Sequence, residues 1–229
     1  MNPFNFFDKI FYINLDSRPN RREQTEEVFK KYNITAERFP AIQLSPEQNE
    51  ALKADGCFFI GDERPEHARF TKSCTLSHLS VVLRAKLMRY SNVLIFEDDI
   101  TFREDVIEEL SKALEDLKQQ ERWDMFYIGC NPLRYKKITD HLGQSLGAHT
   151  SHAYAVNEHF YDTILSIPYK DLPSIDSNYR NLAFNEDNRI LMCMQNLAHQ
   201  APGYSTLEET DVDYFPSIQY RYDSNMIEE

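Results

Sequence analysis

The stretch Asn92-Val-Leu-Ile-Phe-Glu-Asp-Asp99 decides how this chain is read. Four consecutive apolar residues make a run of strand length, and an uninterrupted run marks a strand buried on both faces of a parallel sheet. Three carboxylates follow at once. In an open α/β sheet, ligands bind outside the carboxyl ends of the strands, so this strand delivers its acidic end to the binding crevice. Residues two apart on an extended chain point the same way, which predicts a shared face for Glu97 and Asp99. Two hard oxygen ligands with open positions beside them suit Mg²⁺ or Mn²⁺ bound to a diphosphate. A solvated acidic turn is the plain alternative, and acidic strand ends also serve metal-dependent phosphohydrolases and nucleases.

Around this strand, strand and helix patterns alternate. Lys9–Leu15 reads as a buried strand, and Asp16-Ser17-Arg18-Pro19 closes it and opens a helix, with Ser17 as cap and Pro19 in its first turn. A short strand over 37–42 comes next, then loops with at most short helices over 45–73. A helix is predicted over 75–90 from Leu76, Leu79, Val82, Leu83 and Leu87, and another over 105–119 from Val106, Leu110, Leu114 and Leu117. Strands follow at 124–129 and 153–156. A helix capped by Asn157 and a further helix over 186–197 come after them, and the last thirty or so residues read as an irregular tail. The expected fold class is an α/β sandwich with a mostly parallel central sheet. A single domain over 1–229 is expected, with a donor-binding half near 9–130, an acceptor-side half near 131–215 and a tail over 216–229.

Composition limits the function. The chain has 229 residues, 41 % hydrophobic, with a formal net charge of −12 and no basic run longer than a pair. A nucleic-acid binder needs a basic surface to displace counterions from phosphates, so nucleic acid is excluded as a partner. Cys57, Cys74, Cys130 and Cys193 show no paired spacing, which reads as free thiols in a reducing compartment. No run approaches the roughly 20 apolar residues of a membrane span. The N-terminus lacks the pattern of a signal peptide. A cytoplasmic location is therefore expected, with peripheral membrane contact left open for a lipid-linked acceptor.

Three segments, Phe11-Tyr-Ile-Asn-Leu-Asp-Ser-Arg-Pro-Asn-Arg-Arg22, Cys74-Thr-Leu-Ser-His78 and Val93-Leu-Ile-Phe-Glu-Asp-Asp99, together resemble glycosyltransferase family 25. That group includes lipooligosaccharide and collagen galactosyltransferases. Order and spacing agree over residues 9–103, with Glu37–Ile42 similar to the segment after the first. The resemblance implies a GT-A type nucleotide-sugar-binding sandwich, a UDP-sugar donor and Mn²⁺. It also implies inversion at the anomeric carbon and a glycan or glycoprotein acceptor. Beyond residue 103, Ser174-Ile-Asp176 is similar to a Pro-Val-Asp of the acceptor half, and Gln200–Ser205 to a late segment. The family pattern then continues Asp-Ile where this chain has Thr206-Leu207.

The candidate site residues follow from these readings. Glu97 and Asp99 are expected metal ligands with Asp98 beside them, and His199 is a candidate third ligand because imidazole accepts Mn²⁺. Asn14, Asp16, Arg18 and Arg22 lie where the first strand meets its helix, whose free N–H groups favour a phosphate. Ser77 and His78, expected in the first turn of the next helix, are assigned to the donor site. An inverting transfer needs a base for the acceptor hydroxyl. Asp176 is the first candidate, then Glu186 and Asp187. His141, His149, His152 and His159 receive no role. Tyr204, Tyr214, Tyr220 and Tyr222 are read either as sugar-stacking faces or as packing. A non-catalytic nucleotide-sugar-binding relative is the other reading, of a different class.

Overall fold

A computed structural model of the chain describes residues 2–57, 64–167, 174–205 and 210–227. The Thr206-Leu207 departure lies outside them. The strands are β1 (Lys9–Asn14), β2 (Glu37–Pro40), β3 (Asn92–Glu97), β4 (Ile100–Phe102), β5 (Met125–Pro132), β6 (Tyr135–Lys137), β7 (Leu142–Ser145), β8 (Ala148–Asn157), β9 (Ile190–Cys193), β10 (Ala198–Gln200), β11 (Gly203–Ser205), β12 (Thr210–Val212) and β13 (Met226–Ile227). The α-helices are α1 (Pro19–Lys31), α2 (Pro46–Ala54), α3 (Pro65–Met88), α4 (Val106–Lys118), α5 (Tyr161–Leu165), α6 (Ile175–Phe184) and α7 (Phe215–Ser224).

A nine-stranded sheet in the order β13-β6-β7-β9-β5-β8-β3-β1-β2 carries the fold. β1 pairs in parallel with both β2 and β3, β5 with β9, and β6 with β13. β8 lies antiparallel between β3 and β5, and β7 is antiparallel to β6 and β9. Following these pairings across the sheet, all strands but β7 and β8 point the same way. The sheet is thus mostly parallel, as expected.

Alternation along the strands builds two cores. Tyr12, Leu94, Phe96, Phe126 and Leu191 face α1 and α4, packing on Phe29, Leu110, Leu114 and Leu117. Phe11, Ile13, Val93, Ile95, Tyr127 and Met192 face α3, α5, α6 and α7, packing on Val81, Val82, Ile164, Tyr179 and Ile218. Each aliphatic side chain removed from water here contributes about 1.5–3 kcal/mol.

Three expectations are corrected. The helix predicted over 186–197 is strand β9: Ile190-Leu-Met-Cys193 is buried throughout between β5 and β7. A short apolar run looks alike as a buried helix segment and as a central strand. Residues 45–73 are not mainly loop. Ser45 and Gln48 form a capping box that starts α2. Helix α3 then begins at Pro65 and runs 24 residues. The tail is ordered too, since α7 packs on the second core through Ile218 and Tyr222 and β13 extends the sheet beside β6.

Candidate active site

A cavity of about 420 Å³ opens at the carboxyl ends of β1 and β3 and is bounded by α3, the start of α6 and the segment after β10. Its volume suits a nucleotide-sized ligand. Glu97, Asp98, Asp99, Ser77, His78, Arg18 and Asp176 all line it, as do Arg21, Cys74, Asn131, His149 and Ser151.

The acidic triplet does not act as one face. β3 ends at Glu97, and Asp98-Asp99 turn into β4, so the strand alternation that would align Glu97 with Asp99 stops there. Asp98 is a structural tie: it accepts from Asn14 Nδ2 at 2.7 Å and from Arg21 Nη1 at 3.0 Å. Its carbonyl accepts from Thr25 Oγ1 at 2.7 Å. Asp99 Oδ2 receives Arg21 Nη1 at 3.2 Å and Gln200 Nε2 at 3.4 Å. Its other oxygen, Oδ1, is buried with no partner among the described residues. Burial, with Glu97 and Asp98 adding to it, pushes the Asp99 carboxyl up to about 7 against the pull of Arg21.

Glu97 turns the other way. Its Oε1 accepts from Ser151 Oγ at 3.1 Å and lies 3.5 Å from His78 Nε2. Burial favours the neutral acid, yet the bond from His78, the charges of His78 and His152, and the Ser151 hydroxyl together hold its pKa below the usual range. His78 is fully buried, and its Nδ1 is 2.8 Å from Tyr154 Oη, which in turn is 2.9 Å from Tyr179 Oη. Ser77 Oγ accepts from Ile42 N and donates to Ser73 O. Ser77 and His78 sit in the middle of α3, not in its first turn as expected, so no free helix N–H groups lie beside them.

Several expected contacts lie off the cavity. Asn14 is buried, holding Asp98 and receiving Arg38 Nε at 2.8 Å. Asp16 is exposed and pairs with Arg38. Arg22 faces solvent and pairs with Glu26 at i,i+4, which makes Arg21 the arginine of the acidic cluster. His199 lies on β10 opposite Thr101, and alternation gives the Asp99 side of that strand to Gln200. Glu186 is exposed and paired with Lys136, and Asp187 is exposed with its carbonyl bonded to Arg122. Of the three base candidates, only Asp176 reaches the cavity. Tyr214 lines the cavity, Tyr222 is core and Tyr220 is exposed.

His149, given no role from sequence, faces Asp176 across the cavity, Nδ1 to Oδ2 at 3.7 Å. Asp176 Oδ1 accepts from Ser177 N at 2.9 Å. Although burial opposes the charge, the bonds from His149, Ser174 and the Ser177 amide hold its carboxyl down at about 2. Between the pairs Gly129↔Ala153 and Asn131↔His149, β8 advances four residues while β5 advances two. This bulge carries Thr150 at φ 66°, a strained value for a β-branched residue, and aims both His149 and Ser151 inward. Asn131, buried opposite His149, presents an Oδ1 with no partner among the described residues.

A hard divalent cation fits this donor set. An unpartnered carboxylate oxygen on Asp99, with Glu97 and Asp98 adjacent, leaves negative charge that one guanidinium does not offset.

The glycosyltransferase involved in glycosylation of the major capsid of PBCV-1 superposes with a TM-score of 0.49 over 88 % of this chain and 95 % of that one, at 9 % identity. A glycosyltransferase 25 family member of Drosophila melanogaster is 34 % identical over 132 residues, 56 % of this chain and 22 % of that protein. A probable inactive glycosyltransferase 25 family member 3 of Rattus norvegicus is 31 % identical over 129 residues, 54 % and 23 % of the two chains. Procollagen galactosyltransferase 2 of Mus musculus is 28 % identical over 137 residues, 57 % and 22 %. The matched stretch thus spans about a fifth of the length of these relatives. Residues 7–158, more than half of the chain, match the profile of glycosyltransferase family 25 (LPS biosynthesis protein), and the chain belongs to that family.

Proposed function

We propose that this glycosyltransferase moves a hexose, galactose by analogy with the murine relative's name, from a UDP-sugar to a hydroxyl of a glycan or protein acceptor, with inversion. The observation that carries the reading is the buried Asp99 Oδ1, without a partner among the described residues, on the cavity wall at the carboxyl end of β3. A diphosphate cannot enter beside Glu97, Asp98 and Asp99 without added positive charge. Asp99, with Glu97 beside it, would hold Mn²⁺ or Mg²⁺, whose chemistry there is neutralising charge on the departing diphosphate. Arg21 orients Asp99, and Arg18, which also lines the cavity, would contact phosphate oxygens.

The far wall takes the acceptor. Asp176, with its carboxyl held down at about 2, stays ionised and is a weak proton acceptor. His149 beside it presents its imidazole to the cavity, where a ring nitrogen can accept a proton. The proton of the attacking hydroxyl therefore passes to His149, and Asp176 orients the imidazole. Asn131 Oδ1 is available to accept from a sugar hydroxyl. His149→Gln and Asp176→Asn should each abolish or sharply reduce UDP release from a UDP-hexose in the presence of acceptor while UDP still binds. Turnover at the parent rate in both variants would remove these roles.

The relatives named inactive favour a second reading, in which the cavity holds the donor without transferring it. Donor binding without turnover, whatever the acceptor offered, is its signature.

A further inference from the structure

Helix α3 places Cys74 and His78 four residues apart, one turn on the same face, against Glu97 at the end of β3. The Cys74 thiol, a ring nitrogen of His78 and a Glu97 oxygen all lie within 4.8 Å of one another. Coordination by one tetrahedral ion requires ligand atoms roughly 3.3–3.8 Å apart, given bonds of about 2.0–2.3 Å. His78 Nε2 and Glu97 Oε1, at 3.5 Å, already meet that spacing.

The ring is fixed from behind as a ligand would be. Its Nδ1 is engaged by Tyr154 Oη at 2.8 Å, and Tyr154 is engaged by Tyr179, so Nε2 is the nitrogen turned toward Glu97 and Cys74. Such an outer partner sets the orientation of a metal-bound imidazole. All three residues line the cavity, which leaves a further coordination position open to water or substrate. Cys130 and Cys193 are buried in the cores and Cys57 is likewise shielded, so Cys74 is the thiol that reaches the cavity.

The donor set is S, N and O, not the all-oxygen set that Mn²⁺ and Mg²⁺ prefer, and thiolate with imidazole selects Zn²⁺ or a similar ion. We propose that Cys74, His78 and Glu97 form a site for a zinc-type transition-metal ion, next to the hard-cation position at Asp99 and sharing Glu97 with it. On binding, the Cys74 S–H bond gives way to an S–metal bond and its proton leaves to solvent through the cavity. The site does not rest on the transferase reading. Because Glu97 already turns onto His78, occupancy locks that carboxylate against α3 and out of reach of a cation at Asp99, so zinc opposes cation-dependent binding of the donor.

The full chain, stripped with a chelator and dialysed, would be titrated with Co²⁺ and then with Zn²⁺ as competitor. One equivalent of Co²⁺ with a thiolate-to-cobalt charge-transfer band, displaced by Zn²⁺, is the expected result. Cys74→Ser should lose the band and bind Zn²⁺ at least about tenfold more weakly. Absence of the band in the parent protein, or unchanged Zn²⁺ affinity in Cys74→Ser, overturns the site. Should that variant fail to fold, Glu97→Gln, which keeps the Ser151 contact, replaces it with the same criterion on Zn²⁺ affinity. UDP titrated with Mn²⁺ on the same preparation separates the two readings: failure there removes the donor site and leaves the cobalt result standing.

Discussion

Arg21 Nη1 stands 3.2 Å from Asp99 Oδ2 and holds that carboxylate in place while its other oxygen has no partner among the described residues. The same nitrogen reaches Asp98 at 3.0 Å, so one guanidinium serves two part-buried acids. Arg21→Met removes it and leaves the acids facing each other. Without metal, the variant should lose about 1–3 kcal/mol of stability, since removing one partner of a part-buried pair leaves carboxylates without their counter-charge. Millimolar Mn²⁺ should restore much of that loss, and thermal unfolding with and without the ion checks it.

Gly129 is where β5 passes under β10. A Cβ there would meet the Ala198 carbonyl oxygen at 1.7 Å and Asn196 Oδ1 at 2.9 Å. Backbone cannot yield as a side chain end can, so Gly129→Ala must push β10 away. A loss above about 3 kcal/mol is expected. Gln200 leaves Asp99 with it, so Mn²⁺ affinity falls alongside chemical-denaturation stability.

The Asp176 carboxyl is depressed to about 2, so its contribution to stability is present above its unfolded value near 3.9 and is lost as pH falls toward 2. At pH 7, Asp176→Asn should cost up to about 2 kcal/mol. The gap between parent and variant should close between about pH 4 and 2. Urea unfolding of the two proteins at pH 7, 4 and 3 measures it, and a gap that does not shrink would contradict the pairing with His149.

Thr150 at φ 66° holds strain of about 1–3 kcal/mol, which a glycine would relieve at some entropic cost. Thr150→Gly should therefore leave stability within about 1 kcal/mol of the parent or raise it. Turnover should fall, because the bulge no longer fixes His149. Equal turnover with equal stability would show that the strain aims nothing.

Much of the fold is legible in the sequence because its central strands are unbroken apolar runs. Val93–Phe96 reads directly as a buried strand and brings its acidic end with it. Ile190–Cys193 is just as apolar, but nothing local separates a buried strand from a helix, and only its neighbours β5 and β7 decide. Ser45-Pro-Glu-Gln48 carried a readable capping box, whereas the start of α3 at Pro65 follows a charged stretch without periodicity. Within the site, Arg22 could have been set aside from the sequence, since Glu26 four residues on is its partner. Arg21 was then the arginine left for the acidic turn. His149 could not be read at all, because its aim depends on a bulge between strands and on a helix that begins some 25 residues later.

The most direct test is calorimetric titration of UDP, UDP-galactose and UDP-glucose into the chain with Mn²⁺, then with EDTA, for the parent and Asp99→Ala. UDP should bind only with the cation, bind no longer once EDTA is added, and fail to bind Asp99→Ala, with one UDP-sugar preferred. Cation-independent binding, or undiminished binding in Asp99→Ala, would contradict a cation-dependent donor site at Asp99.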